Sequence, residues 1–161
     1  MFLEGKTIGS ETGQEAASAL LARMYETHVG APLPEIARTP KGKPYFVGSD
    51  WHFSVSHTKK HVFCALSRRN IGIDAEEADR NICLKIAEKI LSREEYRRYE
   101  AAADKRDALL RLWVLKAAQG KLTGEGIRFH PTHTDFSPSD PRIRRIDNCL
   151  VAVLQEEEHA L

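Results

Sequence analysis

An α+β fold is predicted for this chain from three observations: apolar residues at helical spacing over 14–29 and 105–122, short alternating or β-branched runs at 53–57 and 61–67, and a carboxylate-bearing strand from residue 71. Helical and extended segments interleave, and the sequence shows no short-period repeat and no low-complexity segment.

The elements follow in order. Ala17, Leu20, Leu21, Met24 and Tyr25 share one helical face, and the helix ends at Gly30, before the proline-punctuated ordered loop APLPEIARTPKGKP. FSVSH alternates apolar and small polar residues, and HVFCALS is β-branched and aromatic. The intervening Thr58-Lys59-Lys60 suits a hairpin turn. Arg69-Asn70 turns the chain into IGIDAEEAD, where strand alternation places Ile71, Ile73 and Ala75 on one face and Gly72, Asp74 and Glu76 on the other. Two carboxylates so close repel each other, and water or a cation relieves them. A helix is predicted over 82–91, and a second is opened by the capping box Ser92-Arg93-Glu94-Glu95. A third runs over 105–122 and closes near Gly124. The segment NCLVAVLQEE returns to strand character.

A length of 161 residues suits one compact unit, or two small halves sharing a core. Lys and Arg total 24 against 23 Asp and Glu, a net charge of +1 that gives no general argument for a nucleic-acid or membrane partner. Cys64, Cys83 and Cys149 are widely spaced with no CxxC pair, so neither a disulfide framework nor a zinc site is indicated, and buried packing is expected for two of them. No signal-peptide core and no membrane-length apolar run occurs, so the chain reads as cytoplasmic. His130-Pro-Thr-His133 has a metal-like spacing without a second ligand pair and reads as a loop.

Three clusters carry chemistry. Asp74 and Glu76 form the first. On the long helix Ala117 and Lys121 stack on one face, and Lys116 interrupts the stripe begun by Leu109, Leu112 and Trp113. The third is KGKPYF with FSVSH beyond it: a stiff Gly-Lys-Pro turn presents a lysine, and Ser56-His57 offers a hydroxyl and a ring donor suited to phosphate oxygens.

In this order the clusters resemble the 4′-phosphopantetheinyl transferase superfamily. The family pattern is a Gly-Lys-Pro turn, a Ser-His ending a strand, Gly-Ile-Asp-x-Glu, and Trp-x-x-Lys-Glu-x-x-x-Lys on a helix. Here these are Gly42-Lys43-Pro44, Ser56-His57, Gly72-Ile73-Asp74-Ala75-Glu76, and Trp113 to Lys121 with Ala117 in place of the glutamate. The resemblance implies transfer of the 4′-phosphopantetheine arm of coenzyme A (CoA) to a serine of an apo acyl or peptidyl carrier protein, with release of 3′,5′-ADP. It implies Mg²⁺, with Mn²⁺ as alternative, on Asp74 and Glu76, a diphosphate contact for Lys121, and support of the attacking hydroxyl or a neighbouring phosphate by Lys116. Lys43, Ser56 and His57 would bind the nucleotide end, the backbone of Lys41, Gly42, Lys43 and Pro44 would lie against adenine, and Arg38 would stand in for basic residues of longer members.

Ala117 departs from the family, because a methyl group neither ligates a metal nor accepts a proton. Three accounts stay open: an engineered inactivating substitution, a CoA- or carrier-binding homologue without efficient transfer, or a site where Glu125 or a water substitutes. The chain also resembles a shortened member of the Sfp type, implying a monomer with pseudo-symmetric α+β halves of residues 1–68 and 69–161 and CoA in the cleft between them. The paired arginines at 68–69 and 97–98, and those at 142, 144 and 145, are expected to meet an acidic carrier protein or solvent.

Overall fold

Two long helices, each laid on a three-stranded antiparallel sheet, carry the fold of the computed structural model, which describes residues 1–126 and 134–157. His130 and His133 lie outside the described residues. The elements are β1 (Phe2–Thr7), α1 (Gly13–Val29), β2 (Ile36–Arg38), β3 (Pro44–Phe46), β4 (His52–His57), β5 (His61–Ser67), β6 (Ile71–Glu77), a 3₁₀ turn (Leu84–Ile86), α2 (Ala87–Ile90), α3 (Arg93–Ala101), α4 (Lys105–Thr123), β7 (Ile143–Ile146) and β8 (Cys149–Gln155).

The α+β class and the principal elements agree with the sequence reading. Thr12 caps α1 by accepting from the Glu15 amide at 3.1 Å, and Gly30 closes it in the left-handed region. Its stripe packs with Val62, Cys64 and Leu66 of β5, in the sheet ordered β1-β5-β4. The other sheet runs β6-β8-β7, and α4 covers the face that carries Leu150, Ala152 and Leu154. The strand faces turned away from the helices meet in a third apolar cluster of Phe63, Ala65, Ile71, Ile73, Ala75, Cys149, Val151 and Val153. Cys64 and Cys149 are buried, as expected, and burial pushes both thiols up to about 12.

Several elements differ from expectation. The loop after α1 contains the β2–β3 hairpin, the N-terminus supplies β1, and β7 joins β8 through Asp147 and Asn148, both at positive φ as a tight primed turn requires. The helix predicted over 82–91 shrinks to a 3₁₀ turn and the four residues of α2, because Leu91 is already extended where Ser92 begins to cap α3. No helix among the described residues is long and apolar enough to cross a membrane.

Gly72 sets how closely α4 approaches β6. A Cβ there would run into the Ala118 carbonyl oxygen and come within 2.5 Å of the Leu122 amide nitrogen, both backbone atoms that cannot step aside. Gly72→Ala is therefore expected to lower stability by about 1–3 kcal/mol through overpacking. An unchanged urea midpoint at constant m would show that α4 does not lie this close.

Candidate functional site

β6 is an edge strand of its sheet. On one side β6 pairs with β8; on the other, its amides at Ile73 and Ala75 donate to the hydroxyls of Ser54 and Ser56, each at 3.0 Å. The serines of FSVSH thus stitch β4 to β6 and satisfy an edge that would otherwise be buried without partners. Ser56 also donates to Asp74 Oδ1 at 3.3 Å. The expectation that Ser56 binds nucleotide is corrected on this point: strand alternation turns its buried hydroxyl inward to β6 and Asp74.

Beside this seam lies a cavity of about 560 Å³, within the size range of ligand pockets. Asp74 and Glu76 line it from β6, Trp113, Ala117, Gly120 and Lys121 from α4, Phe53, Ser54 and Val55 from β4, and Arg38 with Lys41, Gly42, Lys43 and Pro44 from the β2–β3 hairpin. Spacing on one strand and one helix face pairs Asp74 with Glu76 and Ala117 with Lys121; the packing of α4 on β6 brings the two pairs to one cavity.

Lys121 Nζ donates to the Val55 carbonyl at 3.0 Å and to Asp74 Oδ1 at 3.4 Å, leaving one of its three protons for a third acceptor. Asp74 Oδ2 is buried and has no hydrogen-bond partner among the described residues. Desolvation, opposed by Lys121, pushes the Asp74 carboxyl up to about 6. Glu76 pairs with Arg80 at 2.5 Å, and Arg80 lies over the Trp113 ring. An orphaned carboxylate oxygen beside a second carboxylate is a donor set that fits a hard cation.

The β2–β3 turn is tied to α4. Lys43 Nζ donates to Asn70 Oδ1 at 2.6 Å and to the Leu122 carbonyl at 2.7 Å, and burial holds its ammonium below the usual lysine range. Gly42, at φ 95°, makes the tight turn that places Lys43, and Arg38 donates to the Gly42 carbonyl at 2.9 Å. Lys41 pairs with Glu125 at 2.7 Å, close to Gly124 and Gly126 of the cavity lining. His57 is exposed at the end of β4 and lines a smaller adjoining pocket of about 300 Å³ with Arg38 and Pro44.

Lys116 is not in the cavity, which corrects the expectation that it supports an attacking hydroxyl. The helix turns it to the opposite side, where it is 4% exposed and its Nζ donates to Glu95 Oε1 at 2.9 Å. Glu95 is fully buried. It also accepts from the Ser92 amide at 2.9 Å, completing the capping box of α3, and from the Phe136 amide at 3.0 Å. The capping box was legible in the sequence; its lysine partner was not, because nothing local shows that Glu95 is buried.

Comparison with known proteins gives the same family as the motifs. The model of the 4′-phosphopantetheinyl transferase superfamily matches residues 70–159. The 4′-phosphopantetheinyl transferase gsp of Aneurinibacillus migulanus is 36% identical over 88 residues, covering 53% of this chain and 36% of that protein. The 4′-phosphopantetheinyl transferase Sfp of Bacillus subtilis (strain 168) is 35% identical over 80 residues, 48% of this chain and 35% of the relative. The 4′-phosphopantetheinyl transferase psf-1 of Bacillus pumilus is 38% identical over 81 residues, 49% and 34% respectively. The match thus spans about a third of the length of each of these three relatives.

Proposed function

Because the chain belongs to the 4′-phosphopantetheinyl transferase superfamily, we propose that it transfers the phosphopantetheine arm of CoA to a serine of an apo acyl or peptidyl carrier protein. The observation that carries this reading is the cavity in which Asp74, Glu76 and Lys121 converge beneath the Lys43 turn. The serine oxygen attacks the diphosphate phosphorus that bears the pantetheine arm, the bond to 3′,5′-ADP breaks, and the hydroxyl proton leaves to a base. Mg²⁺, or Mn²⁺ in its place, held by Asp74 and Glu76 would neutralise and align the diphosphate. Lys121, braced by Val55 and Asp74, directs its remaining proton to the same oxygens. Lys43 orders the turn against which adenine rests, and His57 and Arg38 flank the 3′-phosphate. The chain acts as a cytoplasmic monomer, with residues 1–68 and 69–161 as its two halves and CoA between them.

Ala117 favours a second reading, a CoA- or carrier-binding protein without efficient transfer. Mass spectrometry of apo carrier proteins incubated with the chain, CoA and Mg²⁺ separates the two. A product heavier by one phosphopantetheine arm supports transfer; CoA binding without product supports the second reading.

Mg²⁺ is expected to strengthen CoA binding in calorimetry, and Asp74→Asn to abolish that linkage. Only the ionised carboxyl holds the cation, so the linkage should fade as pH falls through about 6. Equal CoA affinity in Mg²⁺ and in chelator would remove the cation from this site. The same shift acts on the stability of the metal-free chain. The folded state keeps the Asp74 proton up to about 6, whereas the usual value is 3.8, so stability falls as pH rises across that window. Asp74→Asn should remove the fall.

A further inference from the structure

On the other face of β6 a second cluster stands apart from the cavity. Alternation carries Ile71, Ile73 and Ala75 into the apolar layer between the sheets, and the next residue on that face is Glu77. Facing it are His61, at the start of β5, and Cys149, paired with Glu77 across β6 and β8. An apolar layer therefore ends in an imidazole, a carboxylate and a thiol.

The three donors lie within 4.8 Å of one another. His61 Nδ1 is 3.0 Å from Glu77 Oε1, and Cys149 Sγ is 3.4 Å from that nitrogen and 3.5 Å from Glu77 Oε2. A tetrahedral Zn²⁺, with bonds of about 2.0–2.3 Å to N, O and S, separates its ligand atoms by roughly 3.3–3.6 Å. The set therefore needs only small shifts to close on a cation. Thr58 Oγ1 donates to Glu77 Oε1 at 2.6 Å and orients the carboxylate, as outer partners of metal ligands do. The His61 and Glu77 side chains keep 14% and 16% of their surface exposed, so the cluster opens to solvent on their side.

A nucleophilic cysteine is a poorer reading of the same atoms. Cys149 is fully buried, and both the carboxylate and the sulfur approach His61 through Nδ1, so the imidazole cannot relay a proton between its two nitrogens.

We propose that His61, Glu77 and Cys149 form a site for a borderline divalent cation, with Zn²⁺ the best match to one nitrogen, one oxygen and one sulfur donor. Binding displaces the thiol proton to solvent and ties β5 of one sheet to β6 and β8 of the other. The site is independent of CoA and of the reading of the cavity.

Cobalt reports the site directly, because Co²⁺ takes the same ligands as zinc and a thiolate bound to it gives a near-ultraviolet charge-transfer band. Titration of the metal-free full chain with Co²⁺ is expected to produce this band, saturating at one ion per chain and bleached by Zn²⁺. It should persist in Cys83→Ser, which removes the exposed cysteine, and in Asp74→Asn. It should vanish in Cys149→Ser and His61→Ala, and Thr58→Val should weaken binding by about tenfold. Zn²⁺ should raise the melting temperature of the unmutated chain and leave that of His61→Ala unchanged. If Cys149→Ser does not fold, His61→Ala, at a partly exposed position, carries the test. No cobalt–thiolate band in the unmutated chain, or a band that survives His61→Ala, overturns the proposal and leaves the triad a hydrogen-bonded cap on the apolar layer.

Discussion

Ala117→Glu is expected to raise the single-turnover rate of carrier-serine modification by about 10²–10⁴-fold, the usual worth of a positioned general base. Ala117 lines the cavity on α4, one turn before Lys121, and faces the strand that carries Asp74 and Glu76. The longer side chain extends into open volume, so the core need not rearrange. A third carboxylate beside two others is repulsive without a cation, so the gain should depend on Mg²⁺ and disappear in chelator. CoA affinity should change far less, because the Lys43 turn and Lys121 are untouched. A brisk rate in the unmutated chain, unaltered by Ala117→Glu, would assign proton removal to Glu125 or a bound water and sink this account of position 117.

Glu95→Ala is expected to be the most destabilising of the single substitutions considered, by about 3–5 kcal/mol, because it strands the buried Lys116 ammonium without its counter-charge. It also removes the reciprocal half of the α3 capping box and the acceptor for the Phe136 amide. Lys116→Met should cost less, since the Glu95 carboxylate keeps its backbone donors. Denaturant midpoints at constant m measure both. If Glu95→Ala lowers stability by less than about 1 kcal/mol, Lys116 reaches water in solution and the pair is not buried. That outcome would return Lys116 to consideration as a group that could swing toward substrate.

Local pattern decided much by itself. Strand alternation put Asp74 and Glu76 on one face, helical periodicity stacked Ala117 on Lys121, and Ser92 with Glu95 announced the start of α3, because each depends only on residues a few positions apart. The glycine of IGID and the Gly-Lys-Pro turn were equally legible as motifs. Their physical purposes were not: Gly72 admits the α4 backbone, and Lys43 spends two of its donors on Asn70 and Leu122. Tertiary structure alone decided which side of α4 faces the cavity, because the helix is apolar on more than one face and periodicity cannot rank two buried sides. The family resemblance assigned Lys116 to the attacking hydroxyl or a neighbouring phosphate, whereas packing gives it to Glu95. Ser56 misled for a related reason: a hydroxyl at a strand end suits a phosphate, but the edge amides of β6 claim it first. His61, Glu77 and Cys149 were not legible as a set: the spacing of the cysteines indicated no zinc site, and Cys149 read only as a residue of an apolar run. Their sequence separations follow no ligand motif, and they meet only because two antiparallel sheets bring the start of β5, the end of β6 and the start of β8 to one point.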